Sequence, residues 1–203
     1  MAVIADFTTK LLSSVNALEK DIGIPTGFFN RLLKDDDWSF IIKLNSLFEA
    51  ALTRLLMEEL DRKELEETIS LLELANVKIG KIAFARSLNL LGSSEEIYIR
   101  KLSELRNKLV HNVTNVDFNL NDYIKDFGKD KLKQFANSVG FRFKDKFEIN
   151  GRIFQRYQYF KENPKMTIWI GALGCLNSIY EQKTSAKLYK TNPLLKKYMR
   201  NKI

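Results

Sequence analysis

An all-α protein is what this sequence predicts, and three observations carry the prediction. Apolar residues recur at three- and four-residue spacing through most of the chain. Breaks are few, with 3 prolines and 9 glycines in 203 residues, and no low-complexity segment or internal repeat interrupts the pattern. A chain of this length, 45% of it hydrophobic, can bury one sizeable core without staples. Its single cysteine, Cys175, cannot form an internal bridge.

The elements follow in order. Residues 1–36 read as an N-terminal helical extension. Asp37 stands where a cap is wanted for a helix over residues 38–59, in which Phe40, Ile41, Leu44, Leu47, Phe48, Ala51, Leu52, Leu55 and Leu56 form a stripe wide enough for a bundle core. A second helix is expected over 62–74 on Leu65, Ile69 and Leu72. A third is expected over 77–91 on Ile79, Ile82, Ala83, Leu88 and Leu91, closed by Gly92. Ser93 and Glu96 then have the spacing of a capping box, opening a helix on Ile97, Ile99, Leu102, Leu105, Leu109 and Val110.

Beyond a polar, turn-rich stretch at 112–121, a helical pattern resumes over 122–139, weakened at Gly128. Phe147 and Ile149 alternate across Asn150-Gly151 into Ile153, the pattern of a short β-hairpin near 147–154; a helix starting near Arg152 is the alternative. A closing helix is expected over 165–182, with Gly171 and Gly174 allowing close approach to a neighbour. Residues 183–203, with seven cations and no acid, read as a basic tail.

The net charge of +8 is uneven. Residues 1–120 hold 15 Lys+Arg against 18 Asp+Glu, whereas residues 121–203 hold 18 against 7. A basic second half suits a phosphate-bearing or otherwise acidic partner, although a solvated terminus explains the same bias. The residues at 1–6 lack the basic start and apolar core of a secretory signal. The longest apolar run, at 166–176, is short of the roughly 20 residues a membrane span requires. The expectation is a reduced, cytoplasmic protein without a membrane span.

Chemistry is concentrated in one line, Glu104-Leu105-Arg106-Asn107-Lys108-Leu109-Val110-His111-Asn112, which holds the only histidine of the chain. Imidazole, with an unperturbed pKa near 6.5, is the side chain suited to taking and giving protons at neutral pH, and an arginine beside it suggests acid–base work on an anion. On a regular helix, at about 100° per residue, positions 107 and 111 share a face, while 106 and 111 stand about 140° and about 7.5 Å apart. The plainer alternatives are a helix C-cap for His111 and an ion pair with Glu104 for Arg106. One histidine and one cysteine do not make a zinc site, and neither a phosphate-cradling glycine loop nor a serine nucleophile motif is found; no cofactor and no metal are expected.

Arg106-Asn107-Lys108-Leu109-Val110-His111 matches the R-x-x-x-x-H signature of the HEPN superfamily, with a polar residue straight after the arginine. Residues 38–52 and 77–91 resemble its mannitol operon repressor-like branch, so that the likeness spans roughly residues 37–115, and more loosely 152–182. The resemblance implies a bundle of four main helices within 37–182 and a homodimer formed through the motif helices. It also implies, in many members, metal-independent endoribonuclease activity of toxin–antitoxin type. Arg106 and His111 take the catalytic places and Asn107 the supporting polar one; Lys108 and Asn112 are candidates for RNA contact. The mannitol repressor-like branch implies instead a non-catalytic regulator that binds protein or nucleic acid. Val113 stands where toxins silenced by a nucleotidyltransferase antitoxin carry a tyrosine, so an antitoxin of that mode is not expected.

Without a metal, RNA cleavage requires one group to take the 2′-hydroxyl proton and another to protonate the leaving 5′-oxygen. One histidine per chain supplies half of that pair. A two-fold dimer facing two copies of His111 across a crevice supplies both, with Arg106 holding the phosphate through its fork of donors. Asn107 is expected to orient the imidazole or hold a water.

Overall fold

The computed structural model describes residues 2–111, 113–149 and 151–191, and within them helices joined by turns and loops make up most of the chain, with one hairpin. Ten α-helices are described: α1 (Ala2–Asp21), α2 (Phe28–Arg31), α3 (Asp37–Leu60), α4 (Glu66–Leu71), α5 (Lys81–Ser87), α6 (Ser93–Val110), α7 (Leu120–Lys125), α8 (Lys129–Val139), α9 (Arg156–Glu162) and α10 (Pro164–Thr191). The antiparallel pair β1 (Lys146–Ile149) and β2 (Arg152–Gln155) sets Phe147 opposite Phe154. Gly151 turns between them at φ +78°, as a tight hairpin requires, while Asn150 lies outside the described residues.

The long helices α3 and α10 form the spine, with α6 against α3 and α1 against α10. The apolar stripe expected of α3 is buried from Phe40 to Leu56. Residues 1–36, expected as an extension, contribute Val15, Leu18, Phe29 and Leu32 to the same core. The buried carboxylate of Glu19 holds that segment in place. Its two oxygens accept the backbone N–H groups of Gly27 and Phe29 at 2.6 and 2.7 Å, satisfying donors that would otherwise be lost on burial. Tyr98 of α6 is fully buried and donates to the Ile168 carbonyl of α10 at 2.7 Å, and burial pushes its phenol well above the ordinary value. Gly171 makes that contact feasible, since a Cβ there would lie 2.3 Å from the Val139 carbonyl oxygen and 2.6 Å from the Tyr98 ring.

Several expected boundaries move. The cap of α3 is Asp36, whose carboxylate accepts from Ser39 N at 2.8 Å; Asp37 is inside the helix and accepts instead from Leu120 N at 2.8 Å, fastening α7 to α3. The helices expected over 62–74 and 77–91 shorten to α4 and α5. Val77 and Ile79 are exposed on the turn between them, and Gly92 opens α6 rather than closing α5. The Ser93–Glu96 capping box does not form: Gly92 holds the cap position, Ser93 is already inside the helix, and Glu96 is engaged by Arg86 and Arg100. The pattern over 122–139 divides into α7 and α8, with Gly128 as the cap between them. The closing helix runs past Gln182 to Thr191. Lys183, expected in a basic tail, is buried against Asp21, and Lys190 meets the Glu58 and Glu59 carbonyls at the end of α3. Residues 192–203 of that tail lie outside the described residues.

Candidate functional site

The apolar stripe of α6, from Tyr98 through Leu109, is turned into the bundle, which leaves the flanks of the helix to meet other elements. On one flank stands the turn between α4 and α5. Its shape follows from Asn76, whose side-chain oxygen accepts Lys78 N at 3.1 Å and Ile79 N at 3.2 Å, a local bond that competes with continued helix. Gly80 closes the turn, where any Cβ would lie 2.6 Å from the Asn76 backbone. Arg100 of α6 then anchors the turn by donating to the Ala75 carbonyl at 2.9 Å.

Between this turn, α3 and α6 lies an open cleft of about 460 Å³. Arg106, Asn107 and His111 all line it. The helix is regular through Val110, with His111 as its C-cap at φ −78°, ψ −7°, so no unwinding is needed to bring the three residues to one cleft. The length of the arginine does the rest. Its half-buried side chain bends over its neighbour, and Nη1 donates to Asn107 Oδ1 at 3.1 Å. Asn107 thus accepts from Arg106 rather than bonding the imidazole, the first of the two roles expected of it. Glu104 is likewise not the arginine's partner: it pairs with Lys101. His111 and Asn107 are exposed.

The rest of the lining was not foreseen. Asn45 and Ser103, both buried, join α3 to α6 by a 2.9 Å hydrogen bond. Glu49 enters from α3 and Glu73 from the turn, each a carboxylate on the cleft wall. Glu49 is offset by Lys81, a fully buried lysine that donates to Glu49 Oε1 and to the Ser70 carbonyl, both at 2.9 Å. Glu73 accepts from Asn76 Nδ2 at 3.2 Å. A polar residue at the helical spacing of apolar neighbours is the sequence signal for Asn45 and Ser103, and a lysine inside an apolar run is the signal for Lys81. No such signal exists for Glu49 or Glu73, whose meeting depends on the tertiary fold.

Of the two candidates for RNA contact, Asn112 lies outside the described residues. Lys108 is on the other flank of α6, with its ammonium 3.4 Å from the Tyr123 hydroxyl. Cys175 offers no nucleophile, because complete burial pushes its thiol well above the ordinary value and keeps it protonated.

The arrangement can grip an anion and pass a proton. A guanidinium braced by an amide stands in the same open cleft as an imidazole, beside two carboxylates that set limits on how much negative charge the cleft accepts. No family model, no curated protein and no solved structure matches this chain.

Proposed function

We propose that the chain is a metal-independent endoribonuclease of HEPN type, acting as a homodimer. The observation that carries this reading is the shared cleft: the one imidazole, the guanidinium and its supporting amide line a single open space. In the reaction proposed, the 2′-hydroxyl oxygen attacks the adjacent phosphorus and gives its proton to one His111. The bond from phosphorus to the 5′-oxygen breaks, and the His111 of a second copy supplies the proton that the leaving oxygen takes. The products are a 2′,3′-cyclic phosphate and a 5′-hydroxyl. Arg106 offsets the charge that grows on the non-bridging oxygens, and the bond to Asn107 holds its fork at a fixed angle.

The test is cleavage of single-stranded RNA in excess chelator. His111→Ala is expected to lower the rate by about 10² to 10⁴, the worth of a placed acid–base group, with the melting transition unchanged because the side chain is exposed. Equal rates for parent and variant overturn the reading, as does strict dependence on magnesium.

A second reading is favoured by Glu49 and Glu73, which put carboxylates where a phosphate would sit. On that reading the chain is a non-catalytic regulator of the mannitol operon repressor-like type, whose cleft takes a basic segment of a partner protein. Purified chain would then leave RNA intact, and a peptide rich in arginine or lysine would bind with an affinity that Glu73→Gln weakens.

A further inference from the structure

The other flank of α6 carries a second cleft, of about 300 Å³, between α6, α7 and α8. Its floor is aromatic. Tyr123 meets Phe127 edge-on at 5.1 Å between centroids and Phe135 at 6.1 Å, with Tyr123 and Phe127 half-buried and Phe135 buried. Its rim is cationic. The ammonium of Lys131 stands 3.9 Å from the Phe127 ring centroid, and that of Lys108 stands 5.7 Å from the Tyr123 centroid. Lys101 also lines the cleft, paired with Glu104. Among the described residues neither Lys108 nor Lys131 has an ion-pair partner, so two uncompensated charges are gathered over flat rings.

We propose that this second cleft is a subsite for single-stranded nucleic acid, with Lys108 and Lys131 on successive phosphates and Tyr123 under a base. The chemistry selects the ligand. Ammonium groups without an ion-pair partner call for an anion, and rings beneath them call for a flat, stackable face; a nucleotide strand has both, whereas an acidic peptide has the first alone. Continuity supports it as well. Asn107 and His111 line the first cleft, while Glu104 and Lys108 line the second, and all four are exposed on the ridge of α6 between them. A strand seated on Lys108 has about one helix diameter, ~10 Å, to cross before it reaches His111. The assignment rests on the ribonuclease reading for its strand to be RNA, and gives that reading the flanking nucleotides of its substrate.

The experiment uses a fluorescent oligonucleotide of about 8 nucleotides with every 2′-hydroxyl methylated, which binds but cannot be cut. Its affinity for the purified chain is followed by anisotropy over a series of salt concentrations. The exposed lysines are changed to glutamine, singly and together. The double variant Lys108→Gln/Lys131→Gln is expected to bind at least about tenfold more weakly at low salt, and each lysine lost should flatten the slope of log affinity against log salt by about 0.7. Tyr123→Leu, with its melting checked, is expected to weaken binding about tenfold and leave the slope alone. Unchanged affinity and slope in the double variant overturn the subsite, as does tighter binding of polyglutamate than of the oligonucleotide. Cleavage of unmodified RNA by the parent is measured in parallel. Binding through these lysines with no cleavage would keep the subsite and remove the ribonuclease. Cleavage with lysine-independent binding would do the reverse.

Discussion

The two flanks of α6 are built from opposite materials. Toward α3 and the α4–α5 turn, the cleft is lined by amides, a hydroxyl, an imidazole, a guanidinium and two carboxylates, held by backbone-directed bonds such as Arg100 to Ala75. Toward α7 and α8, the cleft is floored by rings and rimmed by lysines. The first arrangement has polar groups at fixed angles and mixed charge, which suits selecting and working on one reacting group. The second has broad apolar faces and one sign of unpaired charge, which suits holding an extended ligand without regard to its sequence. One helix separates a cleft of polar groups and mixed charge from a cleft of rings and lysines.

The largest effect expected on that division comes from α10. Gly171 seats α10 against the Val139 carbonyl at the end of α8 and against Tyr98 of α6, so it positions the α8 wall that belongs to the second cleft alone, and it reaches the first only through α6, which both clefts share. Gly171→Ala must displace backbone at one contact and a fully buried ring at the other. It is expected to cost about 3 kcal/mol in urea-induced unfolding and to weaken oligonucleotide binding further than unfolding alone explains. A variant as stable as the parent would show that the seat has slack, and that the second cleft does not depend on it.

A smaller effect separates two neighbouring acids. Asp37 fastens α7, the carrier of Tyr123, whereas Asp36 caps α3, the carrier of Asn45 and Glu49. Hydrogen bonds from the Ser39 hydroxyl and backbone N–H hold the Asp36 carboxyl below its ordinary value of 3.8. Because the folded state lowers this pKa, the stability it adds is fully present above the ordinary value and fades as pH falls through the lowered one. Asp36→Ala is therefore expected to cost about 1 kcal/mol at neutral pH, with parent and variant converging in acid. A cost that persists undiminished in acid would mean that the charged carboxylate is not what caps α3.

How much of this was legible before folding differs along the chain in the same way. In α3 the apolar period is long and one-sided, and in α10 an apolar run is buried on nearly all sides from Gly171 to Asn177, so both helices and the close approach at Gly171 could be read directly. Between 62 and 91 the same period misleads, because Val77, Ile79, Phe84 and Leu88 have apolar side chains but no neighbour to bury them. Asn76 and Gly80 end the helix by local bonding and shape instead. Three consecutive aspartates at 35–37 leave the cap ambiguous, since each can accept a backbone N–H. At the candidate site, residue type and spacing were enough to single out Arg106, Asn107 and His111. The partner of Asn107 was not, because a flexible arginine can reach where helical angle alone says it cannot. The carboxylates of Glu49 and Glu73 arrive from elements 33 to 62 residues away from the motif and have no local signature.

The smallest expected effect bears most directly on the contrast between the two flanks. Among the described residues Glu73 has an amide partner in Asn76 but no cation, in contrast to Glu49 with Lys81. Its charge therefore acts on whatever anion enters the first cleft. At a separation of about 8 Å in a largely aqueous opening, one carboxylate opposes one phosphate by about 0.5 kcal/mol. Glu73→Gln keeps the bond to Asn76 feasible, removes the charge, and should tighten oligonucleotide binding two- to threefold at low salt. The gain should vanish as salt is raised and should survive intact in the Lys108→Gln/Lys131→Gln background, since distant, independent sites add. If the gain disappeared in that background, the two clefts would not be separate sites on one strand. If Glu73→Gln instead weakened binding, the carboxylate would be a contact in its own right, and the first cleft would be built for a cationic partner.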